Sequence, residues 1–234
     1  QHGLSRLVGW LAQSQIPVIR RSFIHVFAKA YDISLADAER KGLDDYHSFN
    51  DFFTRALADG ARPLPEQHNA LACPVDGTVS QIGRIQSDLL MQAKGHQYTL
   101  NSLAGATGKG FEDGDFCTIY LAPSNYHRIH LPCDGTLVET RAIPGALFSV
   151  NAVTEGGIPG LFCRNERLVC RFDTEHGPML LVLVGALIVA SIETVWAGPA
   201  SPYLKEIVTQ HAQHFKRGDE IGRFLLGSTV ICCF

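Results

Sequence analysis

The run Met179-Leu180-Leu181-Val182-Leu183-Val184-Gly185-Ala186-Leu187-Ile188-Val189-Ala190 decides the fold class of this 234-residue chain. It carries no charge, but it is shorter than the ~20 apolar residues that a helix needs to cross a bilayer. It therefore predicts one or two buried strands. Short apolar runs separated by Gly, Pro and Asp turns predict further strands at Leu71–Pro74, Thr78–Ile85, Phe116–Leu121, Thr136–Arg141, Leu168–Phe172, Ile192–Trp196 and Thr229–Cys232.

The segment before Asp32 differs from the rest of the chain in its composition and in the spacing of its apolar residues. It contains no acidic residue, and its apolar residues recur at helical spacing on both sides of Pro17. Two basic amphipathic helices are expected, with basic residues Arg6, Arg20, Arg21 and Lys29. They would either pack on the protein body or lie on anionic lipid, with Trp10, Phe23 and Phe27 as apolar anchors.

Two more short helices are predicted downstream, Leu35–Lys41 and Phe49–Leu57, with Ser34 and Ser48 as N-caps. Helices first and strands afterwards indicate an α+β fold: N-terminal amphipathic helices on a mostly antiparallel, β-rich body that resembles a sandwich or barrel. We expect a helical segment at residues 1–60 and a β-rich domain at residues 61–234.

Composition excludes several classes of protein. Hydrophobic residues make up 46% of the chain and the formal net charge is -3. The first value argues against disorder, and the second argues against a nucleic-acid binder, which needs a basic surface. Seven cysteines without a C-x-x-C motif predict reduced thiols in a cytosolic setting.

The segment Pro74–Val79 returns in similar form as Pro132–Leu137, each with an Asp-Gly pair. Asp-Gly between apolar runs is a turn signal. Two similar turns and a duplicated strand-turn-strand unit both remain open interpretations.

Two histidines and one serine stand out as candidates for chemistry. His127 and His130 are three residues apart, which on a strand puts them on opposite faces, so we predict no metal site. Histidine is well suited to proton transfer near neutral pH. Ser228 follows Gly227 immediately before an apolar strand; this pattern indicates either an ordinary turn or a hydroxyl that attacks its own backbone.

Six segments in this order together resemble the phosphatidylserine decarboxylase family over nearly the whole chain. They are Phe49–Arg55, Pro74–Gly77, Gln92–His96, Asn125–Pro132, Pro144–Asn151 and Leu226–Thr229.

The resemblance implies a proenzyme that cuts itself between Gly227 and Ser228 and so forms two chains, α and β. Ser228 would become a covalent pyruvoyl cofactor. His130 matches the family's general base for this step and Asp76 matches its orienting carboxylate, in the logic of a Ser-His-Asp triad. Asp134 is the rival acid in the second Asp-Gly pair.

The same resemblance implies the reaction of the mature enzyme. The pyruvoyl ketone would form a Schiff base with the amine of phosphatidylserine, and loss of CO2 would lead to phosphatidylethanolamine. His127 matches a second histidine of the family, with a role as proton donor or substrate-positioning residue.

A lipid substrate strengthens the membrane interpretation of the N-terminal helices. The resemblance thus implies a membrane-docking segment at residues 1–60 and a catalytic domain at residues 61–234. We expect a peripheral protein on the cytoplasmic face of the cell membrane, bound to its anionic surface and compatible with a homo-oligomer. The alternatives are a carrier module of the lipoyl or phosphotransferase type, an inactive lipid-binding relative and a pyruvoyl decarboxylase of a soluble amino acid.

Overall fold

The computed structural model describes residues 11–92, 95–186, 192–199, 203–225 and 228–234. The strands in chain order are β1 (Thr78–Arg84), β2 (Leu89–Met91), β3 (Gln97–Thr99), β4 (Asp115–Leu121), β5 (Arg128–His130), β6 (Gly135–Ile143), β7 (Arg167–Thr174), β8 (Gly177–Gly185), β9 (Ile192–Thr194), β10 (Gly198–Pro199), β11 (Ile207–Phe215), β12 (Glu220–Phe224) and β13 (Ser228–Cys233). The α-helices are α1 (Pro17–Ala30), α2 (Phe49–Phe53), α3 (Leu100–Ala104), α4 (Ala152–Glu155) and α5 (Leu161–Arg164). The chain is therefore mixed α+β with a dominant β component, as predicted.

A seven-stranded antiparallel sheet organises the fold, in the order β1-β4-β13-β8-β7-β6-β11. A four-stranded sheet has the order β10-β9-β12-β5, and β2 pairs with β3. In the large sheet, β13 lies between β4 and β8 and pairs with both along its whole length.

Apolar clusters cover both faces of the large sheet, and this explains the uninterrupted apolar run of β8. Leu181 and Leu183 point into one cluster, whereas Leu180 and Val182 point into the other. A strand that is buried on both faces needs no polar alternation. The predicted strand at Met179–Ala190 is found at Gly177–Gly185, and residues 187–190 lie outside the described residues.

Helix α1 packs on α2 through aromatic rings, which form a third apolar cluster. The ring centroids of Phe23 and Phe49 are 4.3 Å apart, and those of Phe27 and Phe49 are 4.8 Å apart. Phe23 and Phe27 are half-buried against α2, which leaves only part of each ring free for the predicted contact with lipid. Trp10 and Arg6 lie outside the described residues.

Two further sequence predictions need correction, and one strand was not predicted. Residues 35–41 form turns and a bridge between Ala38 and Leu57, because the Ser34 hydroxyl accepts a hydrogen bond from the Ala36 amide in a local turn. Leu71–Pro74 is not a strand. Strand β11 was missed because its residues are mostly exposed at the sheet edge and carry no apolar alternation.

Other predictions near the site agree with the structure. Ser48 caps α2 by accepting a hydrogen bond from the Asp51 amide, although α2 ends at Phe53 rather than Leu57. No helix among the described residues is long and apolar enough to span a membrane.

Candidate active site

Ser228 is the first residue of β13, where the chain passes from the small sheet into the large one. It lies opposite Leu121 on one side and Gly185 on the other. Its side chain is fully buried, and its hydroxyl has no hydrogen-bond partner among the described residues. A buried hydroxyl without a partner is unfavourable for stability, so its position calls for another explanation. Leu226 and Gly227 lie outside the described residues.

His130 is held by two hydrogen bonds through its ring. Nδ1 lies 2.8 Å from the carbonyl oxygen of Gly218, and Nε2 lies 2.9 Å from the hydroxyl of Tyr126. A carbonyl can only accept, so the proton is on Nδ1 and the lone pair is on Nε2. Tyr126 donates to that lone pair; burial is the main cause that raises its pKa to about 12, so it stays protonated at neutral pH.

A backbone hydrogen bond holds the turn that contains Asp76 beside His130. The His130 amide donates to the carbonyl of Pro74 across 2.8 Å, which brings the turn containing Asp76 beside β5. Gly77 allows the close approach to β4, because a Cβ atom there would lie 2.4 Å from the Tyr120 carbonyl oxygen. Asp76 and His130 both line a cleft of about 750 Å³.

The carboxylate of Asp76 is paired with Arg62, not with His130. Arg62 donates to it from Nε at 3.0 Å and from Nη2 at 2.7 Å. Arg62 also donates to Asp37. The rival Asp134 lines a different cavity, where it accepts a hydrogen bond from the Arg217 amide.

His127 lies in a drier environment than His130. Its side chain is buried, and its ring packs on Phe53 with 4.1 Å between the ring centroids. Nδ1 donates to the carbonyl of Asn125 at 2.9 Å, which leaves Nε2 as a buried lone pair without a partner among the described residues. Burial, together with the nearby Arg55 charge, lowers the pKa of His127 to about 3, so the ring is neutral.

The segment Pro144–Asn151 is tied to the strand that faces Ser228. The amide group of Asn165 donates to the carbonyls of Phe148 and Gly185, and Gly185 is the β8 partner of Ser228. Gly145 permits this packing, since a Cβ atom there would lie 2.5 Å from the backbone of residues 165 and 166.

The structure thus places Asp76 and His130 in one cleft, and it buries the side chains of His127 and Ser228. The amide of Phe224, just before the passage to Ser228, donates to the carbonyl of His127. In this geometry Asp76, His130 and Ser228 are not joined by direct hydrogen bonds. Sequence reasoning missed Tyr126, although it lies inside the Asn125–Pro132 motif, and it missed Arg62.

Comparison with known proteins identifies close relatives. A family model described as Phosphatidylserine decarboxylase matches residues 49–234, and a model described as PSD matches residues 1–32. The chain is 52% identical over 243 residues to a "Phosphatidylserine decarboxylase proenzyme" of Alcanivorax borkumensis, covering 100% of this chain and 84% of the relative. A protein with the same description from Psychrobacter arcticus is 52% identical over 233 residues, with 99% and 84% coverage. One from Acinetobacter baumannii is 49% identical over 236 residues, with 100% and 83% coverage.

Proposed function

The chain belongs to the phosphatidylserine decarboxylase family, and we propose that it converts phosphatidylserine to phosphatidylethanolamine and CO2 with a pyruvoyl group that it makes from Ser228. The observation that carries this proposal is the fully buried Ser228 hydroxyl without a hydrogen-bond partner among the described residues. An unpaired hydroxyl at the start of a central strand has no stabilising role, but it is suited to attack the preceding carbonyl.

The self-cutting step begins at Ser228. Its oxygen attacks the carbonyl carbon of Gly227, the peptide C–N bond breaks, and an ester joins the two residues. The ester carboxylate then leaves the Cβ atom, and a base takes the Cα proton. The resulting dehydroalanine tautomerises to an imine, which water hydrolyses to the ketone with release of ammonia.

His130 is the base that we assign to this step. Its Nε2 lone pair is fixed by the Nδ1 hydrogen bond to Gly218, and that tautomer is the one a base requires. Before Nε2 can accept the Ser228 proton, it must exchange its hydrogen bond from Tyr126. Asp76 stabilises the imidazolium as a carboxylate that lines the same cleft, held by Arg62.

The residues around Ser228 fit a pyruvoyl group. The group is planar and close in size to serine, and Gly185, the residue that faces Ser228 on β8, carries no side chain. Bound there, a pyruvoyl group supplies a carbonyl that accepts the electron pair left by CO2.

We assign proton transfer in the mature enzyme to His127. A primary amine arrives as an ammonium ion and must lose a proton before it can act as a nucleophile. The buried Nε2 of His127 can position the head group by accepting a hydrogen bond from its ammonium group, and a proton passed through that contact can be delivered to the carbon that has lost its carboxyl group. Packing against Phe53 keeps this exchange away from bulk water.

Residues 1–60 dock the enzyme on the cytoplasmic face of the membrane as a peripheral protein. On α1, Val18 and Val26 are exposed, at 75% and 68%, beside the exposed basic residues Arg21 and Lys29. Exposed apolar residues next to basic ones suit an anionic lipid surface. These four residues, with the free parts of Phe23 and Phe27, are the proposed contacts.

Intact-mass analysis of the purified protein tests the proposal. We expect two chains separated between Gly227 and Ser228, and the second chain should have the mass of a pyruvoyl N-terminus rather than a serine. Phosphatidylserine decarboxylation by a single uncut chain would overturn the mechanism.

A further inference from the structure

Arg55 is a buried cation whose side chain is not fully satisfied by the protein. It is 5% exposed, and its Nη2 donates to the carbonyls of Ser124 and Asn125 at 2.8 and 3.4 Å. Its Nη1 is buried and has no hydrogen-bond partner among the described residues. Within the described part of the chain, no carboxylate forms an ion pair with it; the Asp76 carboxylate in the same cavity is held by Arg62.

A second buried arginine, Arg167, has a hydrogen-bond partner for each of its nitrogens. Arg167 is 4% exposed, and its guanidinium donates from all three nitrogens to the carbonyls of Ser102, Leu103, Cys163 and Asn165. The fold can therefore satisfy a buried guanidinium with carbonyl groups alone. A buried charge left without a partner is strongly destabilising, so the open donor of Arg55 indicates an anion that the protein itself does not supply.

The Arg55 guanidinium is linked through one backbone carbonyl to the histidine that we assign to proton transfer. The carbonyl of Asn125 accepts hydrogen bonds from both Arg55 and His127 Nδ1. The two side chains therefore share one anchor, and each has a buried nitrogen without a partner. A ligand with an anionic oxygen group and an ammonium group would satisfy both.

Access to Arg55 comes from the cleft that contains His130. Arg55 lines a cavity of about 250 Å³ that shares Arg62, Asp76 and Tyr126 with the larger cleft. Asp32, Asp37 and Asp76 also line this cavity. Because Arg62 pairs with Asp37 and Asp76, Arg55 is the cation that remains open, and the acidic groups suit an ammonium.

We propose that Arg55 is the anion-binding residue of the substrate head-group site, where it holds the phosphate or the carboxylate of the lipid beside His127. This inference rests on the proposed function, because it places the serine head group at the site of decarboxylation. A planar guanidinium fits either oxyanion through two parallel hydrogen bonds.

The test measures binding in the uncut Ser228→Ala protein, so it does not depend on the pyruvoyl group. The probes are dihexanoyl phosphatidylserine and dihexanoyl phosphatidylethanolamine below their micelle concentrations, measured by calorimetry. Arg55→Gln should weaken binding by about 10- to 100-fold, as expected for a lost charge-assisted contact. If Arg55→Gln weakens the binding of both lipids, Arg55 holds the phosphate. If it weakens the binding of phosphatidylserine alone, Arg55 holds the carboxylate.

Two further variants separate binding from folding. Arg84→Gln changes an exposed arginine outside the site and should bind both lipids like the parent protein. Arg55→Lys keeps the positive charge but lacks the two parallel donors of the guanidinium, and it should lose less affinity than Arg55→Gln. Equal affinities for Arg55→Gln and Arg84→Gln would overturn the proposal.

A purely structural role of Arg55 gives a different result. With Ser228 present, self-cleavage needs no lipid, so Arg55→Gln should still cut while its KM for phosphatidylserine rises. If Arg55→Gln instead lowers the melting temperature as much as Arg167→Gln and fails to cut, Arg55 only holds the loop at residues 124–125, and the inference is wrong. Failure of the proposed function would be visible separately, as cutting of the Ser228→Ala chain.

Discussion

The hydroxyl of Tyr126 donates a hydrogen bond to Nε2 of His130 across 2.9 Å, at the nitrogen that we propose as the base of the self-cutting reaction. The other ring nitrogen, Nδ1, donates a hydrogen bond to the carbonyl of Gly218. The proposed base is thus in the correct tautomer but has its lone pair engaged. Substitutions of Tyr126 and of the two histidines test this arrangement through their effect on self-cleavage.

Tyr126→Phe should accelerate self-cleavage. It removes the hydroxyl that occupies Nε2 and keeps the ring that stacks on His130. Since a neutral hydrogen bond contributes about 1 kcal/mol, the rate should rise by roughly fivefold. The measurement is the time course of the two chains after synthesis. Slower cutting would mean that Tyr126 assists the proton transfer instead.

His130→Ala and His127→Ala should affect different steps. His130→Ala should abolish cutting, because it removes the base for Ser228. His127→Ala should cut more than His130→Ala but decarboxylate poorly, because Nε2 of His127 is separate from the Tyr126–His130 pair. A denaturing gel and a CO2-release assay give the two readouts. Equal loss of cutting in both variants would contradict the division of roles.

Ser228→Ala should leave an uncut chain that is at least as stable as the parent proenzyme. The hydroxyl has no partner among the described residues, so its removal relieves an unpaired buried group and should add about 1 kcal/mol to the free energy of unfolding. The reference is His130→Ala, which is also expected to stay uncut but keeps the serine. Urea denaturation of both proteins provides the comparison, and a large loss of stability in Ser228→Ala would show that the hydroxyl is bonded after all.

The stability of the uncut chain should fall as the pH falls below 6.5. Burial lowers the pKa of His127 from 6.5 to about 3, so between these values the unfolded chain binds the proton and the folded chain does not. The contribution of the neutral ring is complete above pH 6.5 and is lost toward pH 3, with a slope of up to about 1.4 kcal/mol per pH unit. His127→Asn in a Ser228→Ala background should flatten this slope, since its amide can still donate to Asn125 without titrating. An unchanged slope would contradict the assignment.

Membrane binding should depend on the exposed valines of α1. Val18→Asp combined with Val26→Asp should reduce co-sedimentation with vesicles that contain phosphatidylserine. Salt should weaken the binding of the parent protein only in part, because each basic residue contributes about 1 kcal/mol through charge and the valines do not. Val208→Asp, on the exposed strand β11, is the matched control and should bind normally. Equal binding by all three proteins would show that α1 is only a packed surface helix.

Deletion of the segment before Asp32 is a less informative test than these substitutions. Helix α1 covers Phe49 and Phe53 through Phe23 and Phe27. Its removal would expose those rings and destabilise α2, so a loss of binding could not be assigned to lipid contacts.

The sequence was informative where burial and local geometry have strong signatures. The apolar run that contains β8 predicted a doubly buried strand, and Ser48 predicted the start of α2. Strand β11, at the edge of the large sheet, could not be predicted because its mostly exposed residues show no alternation of apolar and polar positions. Ser34 was mistaken for a helix cap because a local turn uses the same hydrogen bond.

The partners of the site residues could not be derived from spacing. The Gly218 carbonyl meets His130 from a distant part of the chain, and Arg62 reaches Asp76 from the loop before the first strand. Such contacts arise from tertiary packing. The family resemblance selected His130 and Asp76, but the structure was needed to show that Tyr126 and Arg62 hold them.

The central position of β13 determines how the cut protein can fold. Strand β13 begins at Ser228 and is hydrogen-bonded to β4 and β8 on its two sides. Before the proposed cut it folds as part of one chain; afterwards it belongs to a separate polypeptide and lies in the middle of a sheet formed by the other one. Refolding of the cut protein would therefore be a bimolecular assembly that depends on concentration, and the lifetime of the active state would be set by the rate at which this polypeptide dissociates. The enzyme folds first as a proenzyme and must then persist in that fold.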